Sequence, residues 1–146
     1  MSKSNVKPAQ GKLGVMVVGL GAVTSTFMTG VLMARKGLAK PVGSMTQYDK
    51  IRVSDGKETK YLKYNEIVPM ASLKDIVFGA WDVYPANAYE SAINAEVLKE
   101  KDINPVKDEL EAIKPLKAAF DHNYAKRLDG SNIMVGKSRW EMVEQL

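Results

Sequence analysis

The stretch Leu13-Gly-Val-Met-Val-Val-Gly-Leu-Gly-Ala-Val-Thr-Ser-Thr26 decides the fold that this sequence predicts. Its first six residues are apolar or glycine and include three valines, which is typical of a strand buried on both faces of a parallel sheet. Gly19 and Gly21 follow at once, and from about Thr24 to Lys36 the apolar residues recur at helical spacing. The order strand, glycine turn, helix predicts the opening unit of an α/β dinucleotide-binding fold.

The predicted glycine turn suits a pyrophosphate group. Glycines permit a tight turn and let backbone amides come close to the anion, and the N-terminus of the following helix offers unpaired N–H groups and a positive dipole end. Thr24 replaces the third glycine of the Gly-x-Gly-x-x-Gly fingerprint, which predicts a looser helix or a differently shaped turn. Thr24 or Ser25 is expected to cap the helix. The alternative is a plain strand–turn–helix unit that binds no nucleotide.

The composition favours a small soluble domain. The chain has 146 residues, a net charge of +4 and 45% apolar residues, and its lysines are interleaved with acids rather than gathered in a basic stripe. We therefore expect no nucleic-acid partner. No cysteine is present, which excludes disulfides, thiolate metal sites and a cysteine nucleophile. No secretory signal and no membrane-spanning run is visible, so we expect a cytoplasmic protein with a flexible leader over 1–12 and one domain over 13–146.

The middle of the chain predicts a hairpin and then a second buried strand. Residues 44–48 are read as a short strand, and 51–53 and 59–64 as a hairpin around an Asp55-Gly56 turn. Asp49 is the nearest acidic candidate for a ribose contact after the glycine turn, but a turn residue is the favoured interpretation. Residues 76–78 are expected to form a buried parallel strand, with Gly79 and Ala80 turning the chain at its end.

Asp82 and Trp81, which follow Gly79 and Ala80, are candidate site residues. Ligands of open α/β sheets bind at the carboxyl ends of the strands, so Asp82 is placed to accept hydrogen bonds from ribose or adenine. Trp81 is interpreted as core in preference to a wall of the site.

The pair of His122 and the adjacent Asp121 suggests a general base, but a surface position is favoured for His122 because adjacent side chains do not generally point the same way. No motif for a metal site or a nucleophilic triad is present.

Helical patterns cover much of the remaining chain. They are predicted over 86–99 with Asn87 as a cap, over 106–114, and over 137–146 with Ser138 as a cap. A doubly wound parallel sheet of five or six strands is not completed within this length. We therefore expect the front part of a longer protein.

The chain resembles the N-terminal part of the myo-inositol-1-phosphate synthase family in two stretches. The stretch from Leu13 to Val31 is similar to the family's glycine turn and the helix that ends in Ala/Thr-Gly-Val. The stretch from Asp75 to Val83, Asp-Ile-Val-Phe-Gly-Ala-Trp-Asp-Val, is similar to its Gly-Trp-Asp-Ile motif. The intervening Ser-Met-Thr-Gln of residues 44–47 and the order of the segments also look like that family.

This resemblance implies an NAD-dependent isomerase of inositol and phospholipid biosynthesis. Family members bind NAD on this domain, oxidise glucose 6-phosphate at carbon five, close the ring by an intramolecular aldol step and return the hydride, which gives inositol 3-phosphate. The implied cofactor residues are Asp82 on the adenosine side and the pyrophosphate turn of Gly19, Gly21, Ala22, Val23, Thr24 and Ser25. The family's turn is richer in glycine and asparagine. Its catalytic lysines lie downstream, so this chain is expected to hold no catalytic residue and to be inactive alone, and the family suggests a homotetramer.

Two other functions remain open on the sequence. Another NAD(P)-dependent oxidoreductase would exchange hydride with an external substrate, whereas the isomerase leaves the cofactor's redox state unchanged overall. A non-catalytic nucleotide-binding module would bind NAD without any activity. Asp82 and the absence of an arginine beside the glycine turn favour NAD over NADP, although Arg52 leaves this open.

Overall fold

A three-stranded parallel sheet forms the centre of the computed structural model, which describes residues 7, 10–54 and 56–145. Its strands are β1 (Leu13–Val18), β4 (Ile76–Asp82) and β5 (Leu116–Lys117), in the order β1-β4-β5. An antiparallel hairpin of β2 (Lys50–Ser54) and β3 (Thr59–Lys63) forms a separate two-stranded sheet. The predicted α/β class, first strand and hairpin are confirmed. The burial predicted for both faces of β1 is wrong, because Met16 and Val18 on one face are exposed. Residues 1–6, 8 and 9 of the predicted leader and Asp55 of the predicted hairpin turn lie outside the described residues.

Seven α-helices occur among these described residues. They are α1 (Ala22–Arg35), α2 (Met45–Tyr48), α3 (Tyr64–Ile67), α4 (Ala88–Asn94), α5 (Glu100–Ile103), α6 (Lys107–Glu111) and α7 (Arg139–Val143). Short 3-10 turns cover Leu73–Asp75 and Asn104–Val106. The strand predicted over 44–48 is wrong, because that segment is the helical turn α2. The helix predicted over 86–99 is shorter than expected, because α4 ends at Asn94 and the following Glu96 has a φ of 53°, a conformation that a right-handed helix does not contain.

The second parallel strand is longer than its sequence pattern predicts. Gly79 and Ala80 were expected to turn the chain, but both lie inside β4, paired with residues 16 and 17 of β1. A β-carbon on Gly79 would lie 2.4 Å from the sulfur of Met16, so the glycine makes room for a side chain of the neighbouring strand. Ala80 is fully buried. The small residues here serve close packing within the sheet rather than a turn.

The helices α1, α4 and α6 pack together against one face of the parallel sheet. They enclose a core that contains Leu20, Met28, Leu32, Ala80, Ala88, Ala92, Ile103, Val106 and Leu110. On the opposite face, Met16 and Val77 remain about half exposed, and Val18 is 90% exposed. Within the described ranges, the sheet therefore has its helical layer on one side. None of the described helices combines the length and apolar character needed to cross a bilayer.

Candidate cofactor site

The glycine turn lies at the carboxyl end of β1, where the chain passes directly into α1. Gly19 has a φ of +94°, a conformation that a residue with a β-carbon rarely adopts. Its N–H donates to the carbonyl of Trp81 at 2.8 Å and so extends the pairing of β1 with β4 by one residue. An added β-carbon would meet nothing within 4 Å at either Gly19 or Gly21. The turn is thus tight on its strand side and open on its outer side.

The helix α1 begins two residues earlier than its apolar pattern predicts. Its N-cap is Gly21, which has no side chain to accept the first-turn amides. The expected capping by Thr24 or Ser25 is wrong, since both lie inside the helix. The Thr24 hydroxyl donates back to the carbonyl of Gly19 at 2.8 Å, and the Ser25 hydroxyl donates to the carbonyl of Ala22 at 3.3 Å. The N-terminal amides of this 14-residue helix are consequently left without a side-chain cap, as an anion site requires.

The carboxylate of Asp82 joins the glycine turn to the end of β4. Its Oδ2 accepts a hydrogen bond from the Leu20 N–H at 2.6 Å, and its Oδ1 accepts one from the Tyr84 N–H at 2.8 Å. Asp82 and Leu20 are 62 residues apart in the sequence. Each oxygen retains a second lone pair, so a ligand hydroxyl can still donate to the same carboxylate. Asp82 therefore fixes the turn, and the structure leaves it able to accept a further hydrogen bond.

An apolar cavity of about 480 Å³ opens beside this carboxylate, at the carboxyl ends of the three parallel strands. Its walls include Gly19, Trp81, Asp82, Val83, Ala118 and Phe120. Trp81 is only partly buried and lines this cavity, which supports the wall interpretation over the favoured core interpretation. Its indole N–H is buried without a hydrogen-bond partner among the described residues. A volume of this size and apolar character suits a flat heterocycle.

A second recess of about 270 Å³ lies on the helix side of the turn, between the start of α1 and the C-terminal half of α4. Gly21, Ala22 and Asp82 all contribute to its lining. Asp82 thus stands between the two recesses. The turn, the helix start and the strand end that the sequence singled out are brought together in one place.

Some predicted site residues do not direct a side chain into either recess. Val23 is 85% exposed in the first turn of α1, whereas Ser25 is 1% exposed and uses its hydroxyl and its N–H within the helix. Asp49 lies at the end of α2, exposed, and precedes the separate hairpin. It lines neither recess, in agreement with its favoured interpretation as a turn residue.

His122 is an exposed residue, as favoured, and its ring packs against Phe120 with centroids 4.5 Å apart. The adjacent carboxylate of Asp121 is directed elsewhere, since it accepts the Asn123 N–H and pairs with the Arg139 guanidinium at 2.5 Å. The hydrogen bond from Asn123, together with the charge of Arg139, lowers the pKa of Asp121. This environment does not assemble a general-base pair.

Sequence reasoning missed one side chain at the site, that of Asn132. Its Nδ2 donates to the carbonyl of Asp82 at 2.9 Å and to the carbonyl of Leu116 at 3.2 Å. The only signal nearby was the Asp129-Gly130 turn, which predicts a change of direction but assigns no role to an asparagine two residues later.

Comparisons with known proteins bear on the family and the fold of the chain. Residues 13–146 match the family model described as myo-inositol-1-phosphate synthase, in its NAD-binding domain. The chain is 60% identical over 145 residues to inositol-3-phosphate synthase 1 of Bacteroides thetaiotaomicron, a match that covers 99% of this chain and 33% of that protein. It is 33% identical over 149 residues to inositol-3-phosphate synthase 1 of rice, Oryza sativa subsp. japonica, covering 92% of this chain and 29% of that protein.

The solved structure of inositol-3-phosphate synthase from Caenorhabditis elegans shares the fold, with a TM-score of 0.78 at 23% identity. That superposition covers 95% of this chain and 30% of the nematode chain, which supports the prediction of a partial Rossmann-like domain. The chain spans about a third of the length of the curated relatives that it matches. Since the family model matches nearly all of the described residues, the chain belongs to the myo-inositol-1-phosphate synthase family, of which it is the NAD-binding portion.

Proposed function

We propose that this chain serves as the NAD-binding portion of an enzyme that isomerises glucose 6-phosphate to myo-inositol 3-phosphate. The observation that carries the proposal is the hydrogen bond from the Leu20 N–H to Asp82, which joins the glycine turn of β1 to an acidic residue at the end of the adjacent parallel strand. This is the arrangement that dinucleotide-binding folds use for pyrophosphate and ribose. When bound, NAD supplies a hydride acceptor and then a hydride donor for such a reaction.

The pyrophosphate is assigned to the glycine turn. Gly19, Gly21 and Ala22 offer backbone close to the helix start, and open space lies beside both glycines. Val23, Thr24 and Ser25 complete this first turn, where the helix dipole favours an anion. The Thr24 hydroxyl, which is engaged with Gly19, holds the turn in shape rather than reaching outward.

The adenosine is assigned to the side of Asp82. An acidic residue at the end of the strand next to β1 accepts hydrogen bonds from the ribose hydroxyls and repels a 2′-phosphate, which favours NAD over NADP. The apolar cavity beside Asp82 then takes the adenine ring. The unpartnered N–H of Trp81 and the apolar surfaces of Val83 and Phe120 fit an aromatic base in that cavity.

The remaining properties of the whole enzyme are proposals from the family. We propose that residues 13–146 form a partial nucleotide-binding domain, that the catalytic residues lie outside this chain, and that the complete enzyme is a cytoplasmic homotetramer. These 146 residues are expected to bind NAD and to leave glucose 6-phosphate unconverted.

Calorimetric titration of the chain with NAD and with NADP tests the cofactor assignment. Saturable binding of NAD, with NADP at least about tenfold weaker because of the Asp82 charge, is the expected result. Equal affinity for the two dinucleotides would contradict the role given to Asp82. Conversion of glucose 6-phosphate by this chain alone would contradict the assignment of the catalytic residues.

A further inference from the structure

Residues 130–134, here called the clasp, cross the carboxyl ends of β4 and β5. The Asn132 N–H donates to the carbonyl of Val83 at 2.8 Å, the first residue after β4. On the β5 side, Ala118 donates to the carbonyl of Asn132 at 3.0 Å and accepts from the Met134 N–H at 2.8 Å. The clasp thus extends the sheet beyond β5 by one short parallel bridge, between residues 118 and 133.

The start of the clasp is packed directly on the backbone that follows β4. A β-carbon added to Gly130 would lie 2.2 Å from the carbonyl oxygen of Val83, closer than any side chain tolerates. The clasp therefore cannot shift toward β4, and its path is fixed on that side. Val83 and Ala118, the two residues that it holds, both line the apolar cavity.

The side chain of Asn132 contributes a second link, between the two strand ends themselves. Its amide nitrogen has two hydrogens, and it faces two carbonyl acceptors, those of Asp82 and Leu116. Because both neighbours are acceptors, the nitrogen must be the atom that faces them, and both of its donors are used. No aspartate or aliphatic residue of similar size can make this pair of bonds.

We propose that Asn132 is a positioning residue of the cofactor site, which sets the spacing of the strand ends around the cavity that receives adenine. This inference rests on the proposed function, since it assumes that the cavity takes the adenine of NAD. Asn132 does not line the cavity and acts through the strand ends that do. Its loss lets the ends of β4 and β5 separate and lowers the affinity for adenosine-containing ligands.

The first test measures the affinity for ADP, which carries the adenosine and pyrophosphate parts of NAD, at a temperature where every variant is folded by circular dichroism. We expect Asn132→Ala to weaken ADP binding by about tenfold. Asn132→Asp, which keeps the size but supplies no donor, should weaken it at least as much. Asn104→Ala is the matched control, because it removes an exposed hydrogen bond to Tyr89 that lies outside the site, and it should bind ADP as wild type does.

The second test needs no variant. Hydrogen exchange of the wild-type chain should show that ADP increases the protection of the N–H groups of Ala118, Asn132 and Met134, because adenine binding would tighten the clasp. Absence of that protection, or wild-type affinity in Asn132→Ala, would overturn the inference while leaving the proposed function intact. Failure of the wild-type chain to bind either ADP or NAD would overturn both.

Discussion

Asp82→Asn is the substitution that most directly separates the two roles of this carboxylate. Aspartate offers one acceptor oxygen to the Leu20 N–H and the other to the Tyr84 N–H. Asparagine has the same shape but only one acceptor oxygen, and its NH₂ group must then face a backbone donor. The variant therefore loses one of the two hydrogen bonds and leaves one N–H opposed to another donor.

The lost hydrogen bond and the unpartnered N–H set the size of the loss in stability. A hydrogen bond to a charged group contributes about 1.5–3 kcal/mol, and a partly buried donor left without a partner costs about 1–3 kcal/mol. Because Asp82 is half-buried, we expect the variant to lose about 1–2 kcal/mol of unfolding free energy, at the lower end of these ranges. For NAD, a loosened glycine turn and a weaker ribose acceptor should lower the affinity by at least about tenfold.

The sign of the change in NAD affinity is informative. Removing a negative charge beside a pyrophosphate site favours anion binding by simple electrostatics, so a variant that lost only charge would bind more tightly. Calorimetric titration with NAD and denaturant unfolding measure the two quantities. The matched control is Asp75→Asn, an exposed aspartate directly before the opposite end of β4, which should leave both unchanged. An Asp82→Asn variant with wild-type stability and equal or tighter NAD binding would refute the reasoning.

Three further predictions concern the turn, the clasp and an ion pair. Gly19→Ala should lower stability by about 1–3 kcal/mol because Gly19 has a φ of +94°, whereas Gly21→Ala should change stability by no more than about 0.5 kcal/mol. Both variants should weaken NAD binding. A Gly19→Ala variant with wild-type stability would contradict the strain argument. Gly130→Ala should lower both the thermal midpoint and the affinity for ADP, because its β-carbon would overlap the carbonyl oxygen of Val83. Wild-type values for both would show that the clasp can shift to accept the β-carbon. The Lys36 hydrogen bond, at an N–O distance of 2.6 Å, lowers the pKa of Glu109, so the pair stabilises the chain at neutral pH and this contribution is lost as the pH falls through the lowered pKa. In denaturant unfolding, Glu109→Gln should therefore lower stability by less than about 1 kcal/mol at pH 7, because the Lys36 and Glu109 side chains are 40% and 38% exposed, and should have no effect under strongly acidic conditions. A difference between variant and wild type that grows on acidification would contradict the assigned sign.

Local patterns in the sequence predict most of the elements of the fold. The apolar run before Gly19 predicts β1, the 3.6-residue spacing after it predicts α1, and the Asp55-Gly56 turn between two short runs predicts the hairpin. These features depend on neighbours within a few residues, which is the range over which composition reports on backbone conformation. This dependence on near neighbours also explains the wrong prediction of a turn at Gly79. Gly79 resembles a turn glycine in isolation, and only the side chain of Met16 on the next strand shows why it lies inside β4.

The sequence by itself also predicts the kind of site, a glycine turn with an acidic residue at a strand end. What only the tertiary structure decided is how these parts are joined. The bond from Leu20 to Asp82 spans 62 residues, and the Asn132 side chain reaches back 50 residues to the carbonyl of Asp82. Hydrogen bonds between a side chain and a distant backbone group leave no periodicity or spacing in the sequence, because the fold, and not the neighbouring residues, brings the two partners together. For that reason the sequence predicts Asp82 as a ligand acceptor from its place at a strand end, but predicts no role for Asn132.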